Sequence, residues 1–195
     1  MFQPGSEQLS LALNRVGELL QAQGQVYRIV IIGGAAMNLL GFVRRTTSDV
    51  DILAFGDQRA DMLPIRIHPP PEPLPAELIR AAEAVARAMD LRLDWLNALP
   101  AGQWKLGLPP GLEDRVEWRT FSSLEVGLVA RQDLVFLKLY AAADDTGPKS
   151  VHFQDLVALA PSDEELEAAR IWVVAQDTGL APIVEEVVRR ARDAR

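Results

Sequence analysis

Asp49 and Asp51 stand one residue apart at the head of an apolar run, Asp-Val-Asp-Ile-Leu-Ala-Phe. Read as a strand, that run sends alternate side chains to opposite faces. The two carboxylates then share one face, about 6.5–7 Å apart along the chain, with Val50 and Ile52 on the other. At an effective dielectric near 20 they repel by roughly 2.5 kcal/mol. Such a pair needs a cation, a proton or basic neighbours. Mg²⁺ suits it, because that ion takes a few carboxylates and completes its shell with water and phosphate oxygens. Upstream, Gly33 and Gly34 follow the apolar run Tyr27–Ile32. A glycine pair between a strand and a helix lets backbone N–H groups come close to a phosphate.

These residues need a frame. A helical stripe of apolar residues covers Leu9–Ala22, and Gly24 ends it. Tyr27–Ile32 is short, β-branched and apolar on both faces, as a buried central strand requires. Gly33-Gly34 ends that strand, Ala35–Leu40 is a short helix closed by Gly41, and Asp49–Phe55 is a second strand. The proline-rich stretch Met62–Pro75 is excluded from regular helix or central strand, leaving a loop with room for a short edge strand at Ile65–Ile67. Next come a helix over Pro75–Met89, a third strand over Leu91–Leu96, and a Gly/Pro loop over Pro100–Pro110. Val116–Phe121 and Leu124–Val129 form a hairpin-like strand pair. Beyond Ala130 the pattern is helical: Gln132–Ala143, Val151–Ala160, Ser162–Asp177 and Ala181–Ala194, with Ser162 and Glu165 as a capping box. The expected class is α/β (α+β), with a mixed core over 1–130 and a helical part over 131–195.

The stretch Gly33–Leu53 resembles the signature of the DNA polymerase β-like nucleotidyltransferase superfamily. There a Gly-Gly or Gly-Ser pair follows the first strand, Asp-x-Asp sits on the second, and a third carboxylate comes from a later strand. The form Arg45-x-Thr47-x-Asp49-x-Asp51 is similar to minimal bacterial nucleotidyltransferases and the AbiEii-like toxin–antitoxin branch. The stretches RLDWLN (92–97) and DLVFLKLYAA (133–142) resemble an uncharacterised family within that branch. The likeness runs over residues 26–177. It implies a mixed, twisted sheet flanked by helices, with a helical C-terminal part. It also implies Mg²⁺- or Mn²⁺-dependent transfer of a nucleoside monophosphate from an NTP, such as ATP, to a hydroxyl. The acceptor is left open: a small molecule, a protein or a tRNA, with a protein partner if the setting is a toxin–antitoxin pair.

By the same resemblance Asp49, Asp51 and Asp94 would hold the metal. Asp94 would also receive the proton of the attacking hydroxyl, with Glu117 as the alternative third acid. Otherwise Asp94 is a solvated strand residue paired with Arg92 or another base. Gly33, Gly34 and Ser48 would hold the β- and γ-phosphates. Thr47 and Ser48 either orient phosphates or cap local backbone groups. Arg45 is either a triphosphate contact or the partner of the acids. Lys138 either reaches a nucleotide phosphate or snorkels to the surface. The rival reading is a catalytically inactive protein of this fold, binding nucleotide or serving as an interaction module. It is favoured if Asp94 faces away from the other acids, or if Arg44 and Arg45 fill the metal site.

Composition narrows the rest. The chain has 195 residues, no cysteine, two histidines and a formal net charge of −7. Thiol chemistry, disulfides and Cys-ligated metals are therefore excluded. The acidic balance makes bulk nucleic-acid binding unfavourable, since phosphate contacts dominate that affinity. No run is long and apolar enough for a membrane span, and the N-terminus lacks a signal-peptide pattern, so a cytoplasmic protein is expected. His68 reads as a surface residue, while His152 and Asp155 read as helix capping and packing. Trp95, Trp104, Trp118 and Trp172 read as core rather than a base-stacking platform.

Overall fold

The computed structural model describes residues 5–57 and 65–194. Two compact units divide the chain: one takes the residues up to Lys105 together with Glu113–Val129, the other Leu106–Leu112 with Ala130–Arg195.

In the first unit, α1 (Ser6–Ala22) buries Leu9, Leu13, Val16 and Leu20 along one stripe. Gly17 lies in that stripe, where an added Cβ would come within 1.7 Å of the Phe121 carbonyl oxygen. Only glycine lets the helix lie this close to sheet backbone. Then follow β1 (Tyr27–Ile32), α2 (Gly33–Leu39), β2 (Val50–Gly56), β3 (Ile67–His68), α3 (Ala76–Met89), β4 (Leu96–Asn97), α4 (Gln103–Leu106), β5 (Glu117–Phe121) and β6 (Leu124–Leu128). The strands make one mixed sheet in the order β3-β2-β1-β6-β5, with β4 also on β2. β1 is central, antiparallel to β2 and parallel to β6. Ile29 and Ile31 on one face and Val30 on the other are fully buried, which is why the strand is apolar on both faces.

The outer edge of β2 is shared. β4 runs parallel to its first residues, pairing Val50 with Leu96 and Asp51 with Asn97, while β3 runs antiparallel to its last. The β1–β2 register shifts between Val30 and Ile31, where Leu53 is the extra residue. Below that bulge Val50 and Ile52 are fully buried and Asp51 is half-buried. Val50, Asp51 and Ile52 therefore alternate as a strand requires, and Asp49 precedes the strand.

Three local expectations are corrected. Leu91–Leu96 is not a strand: Leu93 and Asp94 form a turn closed by Trp95 N–H on the Arg92 carbonyl, and pairing begins only at Leu96. Trp95 is buried because its indole inserts beneath α3 and donates Nε1–H to the Ala82 carbonyl. Its burial comes from helix packing, not from a ladder. The edge strand of the proline-rich stretch falls on Ile67–His68 rather than Ile65–Ile67, and Met62–Pro64 lie outside the described residues. Pro100–Pro110 is a 3₁₀ turn at Leu99–Gly102 followed by α4 rather than a plain loop.

The second unit holds α5 (Arg131–Asp144), α6 (Val151–Ala158), α7 (Asp163–Gln176) and α8 (Ala181–Asp193). Ser162 and Glu165 form the expected capping box: Ser162 Oγ accepts from Glu165 N–H, and Glu165 Oε2 accepts from Ser162 N–H. Arg131 donates to both oxygens of Glu165 and to the carbonyls of Leu159 and Ala160, tying the starts of α5 and α7 together. Trp172 packs edge-on against Phe136 and Tyr140, as a core aromatic.

Candidate functional site

The site is built where the end of β1 meets the start of β2. Ile32 is the register partner of Asp51, so the next residue, Gly33, is carried directly against that carboxylate. Gly33 has φ +73°, and a Cβ there would lie 2.8 Å from Asp51 Oδ2. Any other residue would meet both backbone strain and the acid. Gly34 is tight but less so: its Cβ would lie 3.2 Å from Thr47 Oγ1 and 3.3 Å from an Arg45 guanidinium nitrogen. The glycine pair is therefore the floor of a small polar cluster made by Asp51, Thr47 and Arg45.

The loop from Leu40 to Asp49 is held by its own side chains. Asn38 at the end of α2 donates Nδ2–H to the Arg45 carbonyl at 2.6 Å. Thr47 is buried, and its hydroxyl donates to the Asp49 carbonyl at 3.1 Å. Of the two roles open to Thr47, the structure displays the backbone cap. Ser48 is half-buried between Thr47 and Asp49. Asp49 immediately precedes β2, and its charge acts on Arg92. Val50 N–H donates to the Trp95 carbonyl, which fixes the start of β2 against the turn before β4.

The outer side of Asp51 is met by a residue not anticipated from the sequence. Asn97 donates Nδ2–H to Asp51 Oδ1 at 3.3 Å, and its Oδ1 accepts from Leu99 N–H at 2.9 Å. Asn97 also lines a cavity of about 380 Å³ walled by Pro70, Pro71, Leu74, Leu99 and Gly102. The signal available was a polar residue directly after the apolar pair Trp95-Leu96, but an isolated asparagine carries no chemistry until its strand register is known.

Asp94 is placed differently. It is exposed in the turn before β4, and both its oxygens accept from Arg92, at 2.9 and 2.6 Å. The guanidinium hydrogen bonds hold its carboxyl below the ordinary aspartate range, and Asp94 in turn raises Arg92. Glu117 is exposed on β5 and accepts from Arg119. Among the described residues no three Asp, Glu, His or Cys side chains converge as a metal site. Asp51 thus stands beside Gly33, with Asp49 two residues before it, while Asp94 and Glu117 are held by Arg92 and Arg119. The donor set of Asp49 and Asp51, hard carboxylate oxygens beside a turn with no Cβ, still fits Mg²⁺ or Mn²⁺ with phosphate and water as the other ligands.

Lys138 is neither snorkelling nor open. It is buried on α5 and donates Nζ–H to Asp155 Oδ2 on α6 at 2.7 Å, the two side chains being 6% and 2% exposed. Ser150 caps α6 through its hydroxyl, so the polar stretch before that helix serves capping and packing. No helix among the described residues is long and apolar enough to cross a membrane.

The family model described as "Nucleotidyltransferase of unknown function (DUF6036)" matches residues 8–159 of the chain. That span covers the glycine pair, both aspartates, Asn97 and the helices α5 and α6. Neither the curated proteins nor the solved structures gave a match.

Proposed function

This chain belongs to that family of nucleotidyltransferases of unknown function, and from that premise we propose that it transfers a nucleoside monophosphate from an NTP to an acceptor hydroxyl where the end of β1 at Gly33 meets Asp51 of β2. The observation that carries the reading is the 2.8 Å approach of Asp51 Oδ2 to the place a Gly33 Cβ would fill. An acid is presented to a turn stripped of side chain, where backbone and phosphate can meet.

Asp49 and Asp51 would hold Mg²⁺ or Mn²⁺. When bound, such an ion polarises the α-phosphate and neutralises charge that builds on the attacking and leaving oxygens. The remaining work belongs to the chain. Gly33 and Gly34 leave room for the β- and γ-phosphates against the backbone. The Arg45 guanidinium, beside Gly34, meets phosphate oxygens in its planar fork, and Ser48 adds a hydroxyl from the loop. Transfer is in line, so the acceptor approaches from the side away from the pyrophosphate. The cavity lined by Asn97, of about 380 Å³, would suit a small-molecule acceptor or one side chain. The AbiEii-like branch and a toxin–antitoxin setting are finer readings that rest on the Arg45-x-Thr47-x-Asp49-x-Asp51 pattern and on the stretches at 92–97 and 133–142. A partner protein made with this chain would test them.

A second reading has its own support. Asp94 is engaged by Arg92, and among the described residues no third acid joins Asp49 and Asp51. A protein that binds nucleotide without transferring it would be built this way too. Titration of ATP, CTP, GTP and UTP with and without Mg²⁺ separates the outcomes when followed by release of pyrophosphate. Mg²⁺-dependent binding with turnover, both lost in Asp49→Ala/Asp51→Ala, supports transfer. Binding without turnover supports the module, and no binding by folded protein overturns both.

A further inference from the structure

Resting on Asp49 and Asp51 as the cation-bearing pair, we propose that Asn97 is the positioning residue of this site and occupies the place of a third carboxylate. The β2–β4 register sets it directly beside Asp51. Two hydrogen bonds agree on how its amide is turned. The carboxylate of Asp51 can only accept, so it takes the NH₂ group, and Leu99 N–H can only donate, so it takes the carbonyl oxygen. A flipped amide would lose both. Held through Oδ1, Asp51 turns Oδ2 toward Gly33. Asp94 stands two residues before β4 is in register and keeps both oxygens on Arg92.

An amide orients Asp51 without adding charge. The site then offers a divalent cation two carboxylates rather than three, and charge count is a main lever on cation affinity. The pair alone holds the ion weakly, and nucleotide phosphates complete its shell. Cation and nucleotide therefore strengthen each other's binding, by reciprocity to the same factor.

Mn²⁺ serves as the probe, its free concentration read by electron paramagnetic resonance with the full chain. Each titration is run with and without an ATP analogue whose α,β-bridge is methylene. Wild type should bind Mn²⁺ weakly alone and roughly tenfold more tightly, or better, with the analogue. Asn97→Asp should tighten Mn²⁺ alone by roughly tenfold, because it adds the missing charge. Asn97→Leu should weaken Mn²⁺–analogue binding by about 10–100-fold. Asp94→Asn should match wild type in both titrations. Asn97→Ser, shorter but polar, is the second variant should Leu not fold, with thermal unfolding recorded for each protein. Asn97 variants that match wild type while Asp94→Asn loses Mn²⁺ would overturn the proposal and give the place to Asp94. Loss in Asp51→Asn with indifference at Asn97 overturns this inference alone. Wild type binding neither probe overturns the cation–nucleotide reading beneath it.

Discussion

Asp155 in the helical unit and Asp51 in the sheet unit each accept from a neighbouring side chain, a lysine ammonium for Asp155 and an asparagine amide for Asp51. Asp155 is buried against a buried ammonium, that of Lys138, at 2.7 Å. Asp51 is half-buried on β2 between β1 and β4, with the Asn97 amide at one oxygen and Gly33 beside the other. Two charges that meet in low dielectric satisfy each other and leave little for a ligand, although removing either partner strands the other. An amide that orients a carboxylate adds no charge of its own. The first arrangement specifies how α5 sits on α6. The second can bind something.

The comparison breaks most visibly if the buried pair proves dispensable. Lys138→Met should cost about 3–5 kcal/mol in urea unfolding, with Lys138→Met/Asp155→Leu recovering most of that loss. A Lys138 variant of unchanged stability would return that lysine to the candidates for phosphate binding. On the other side, Asp51→Asn should lower nucleotidyl transfer more than about a hundredfold, beyond the loss typical of groups that only support a ligand. Its melting temperature should stay within a few degrees of wild type. Label carried from an α-³²P NTP, read alongside a melting curve, checks both halves.

Two glycines sharpen the same contrast. Gly17→Ala drives a Cβ into the Phe121 carbonyl and should lower stability, whereas Gly33→Ala meets Asp51 itself and should lower Mg²⁺–nucleotide affinity as well. Calorimetric titration beside thermal unfolding separates them, and equal effects of both variants on affinity would sink the distinction. Ser162→Ala, which removes the α7 cap, should cost only about 1 kcal/mol and leave nucleotide binding alone.

The smallest effect concerns Asp94. Its folded pKa lies below the ordinary aspartate value, because Arg92 donates to it. The pair's contribution is thus complete above the unfolded pKa and disappears as pH falls through the lower folded one. Carboxyl-carbon NMR should show Asp94 titrating below the usual range and moving up in Arg92→Ala. Unmoved titration would mean that the pair does not persist in solution, which would free Asp94 to approach the site.

What the residues alone determined was local. Tyr27–Ile32 reads as a central strand because its apolar β-branched run leaves no polar face. Gly33-Gly34 reads as its end, and Val50-Asp51-Ile52 as an alternating strand, because period and backbone freedom act between near neighbours. Helical spacing beyond Ala130 and the Ser162–Glu165 cap are legible for the same reason. Only the tertiary structure decided which distant groups meet. The Leu91–Leu96 run has strand-like composition, but Trp95 gains more by inserting under α3 than a ladder would offer, so Asp94 falls in a turn. Sheet register, a long-range property, sets Asn97 rather than Asp94 beside Asp51. Helix packing sets Lys138 against Asp155 across seventeen residues of chain. Each of these outcomes depends on which apolar surfaces bury one another, and burial is settled by the whole chain at once.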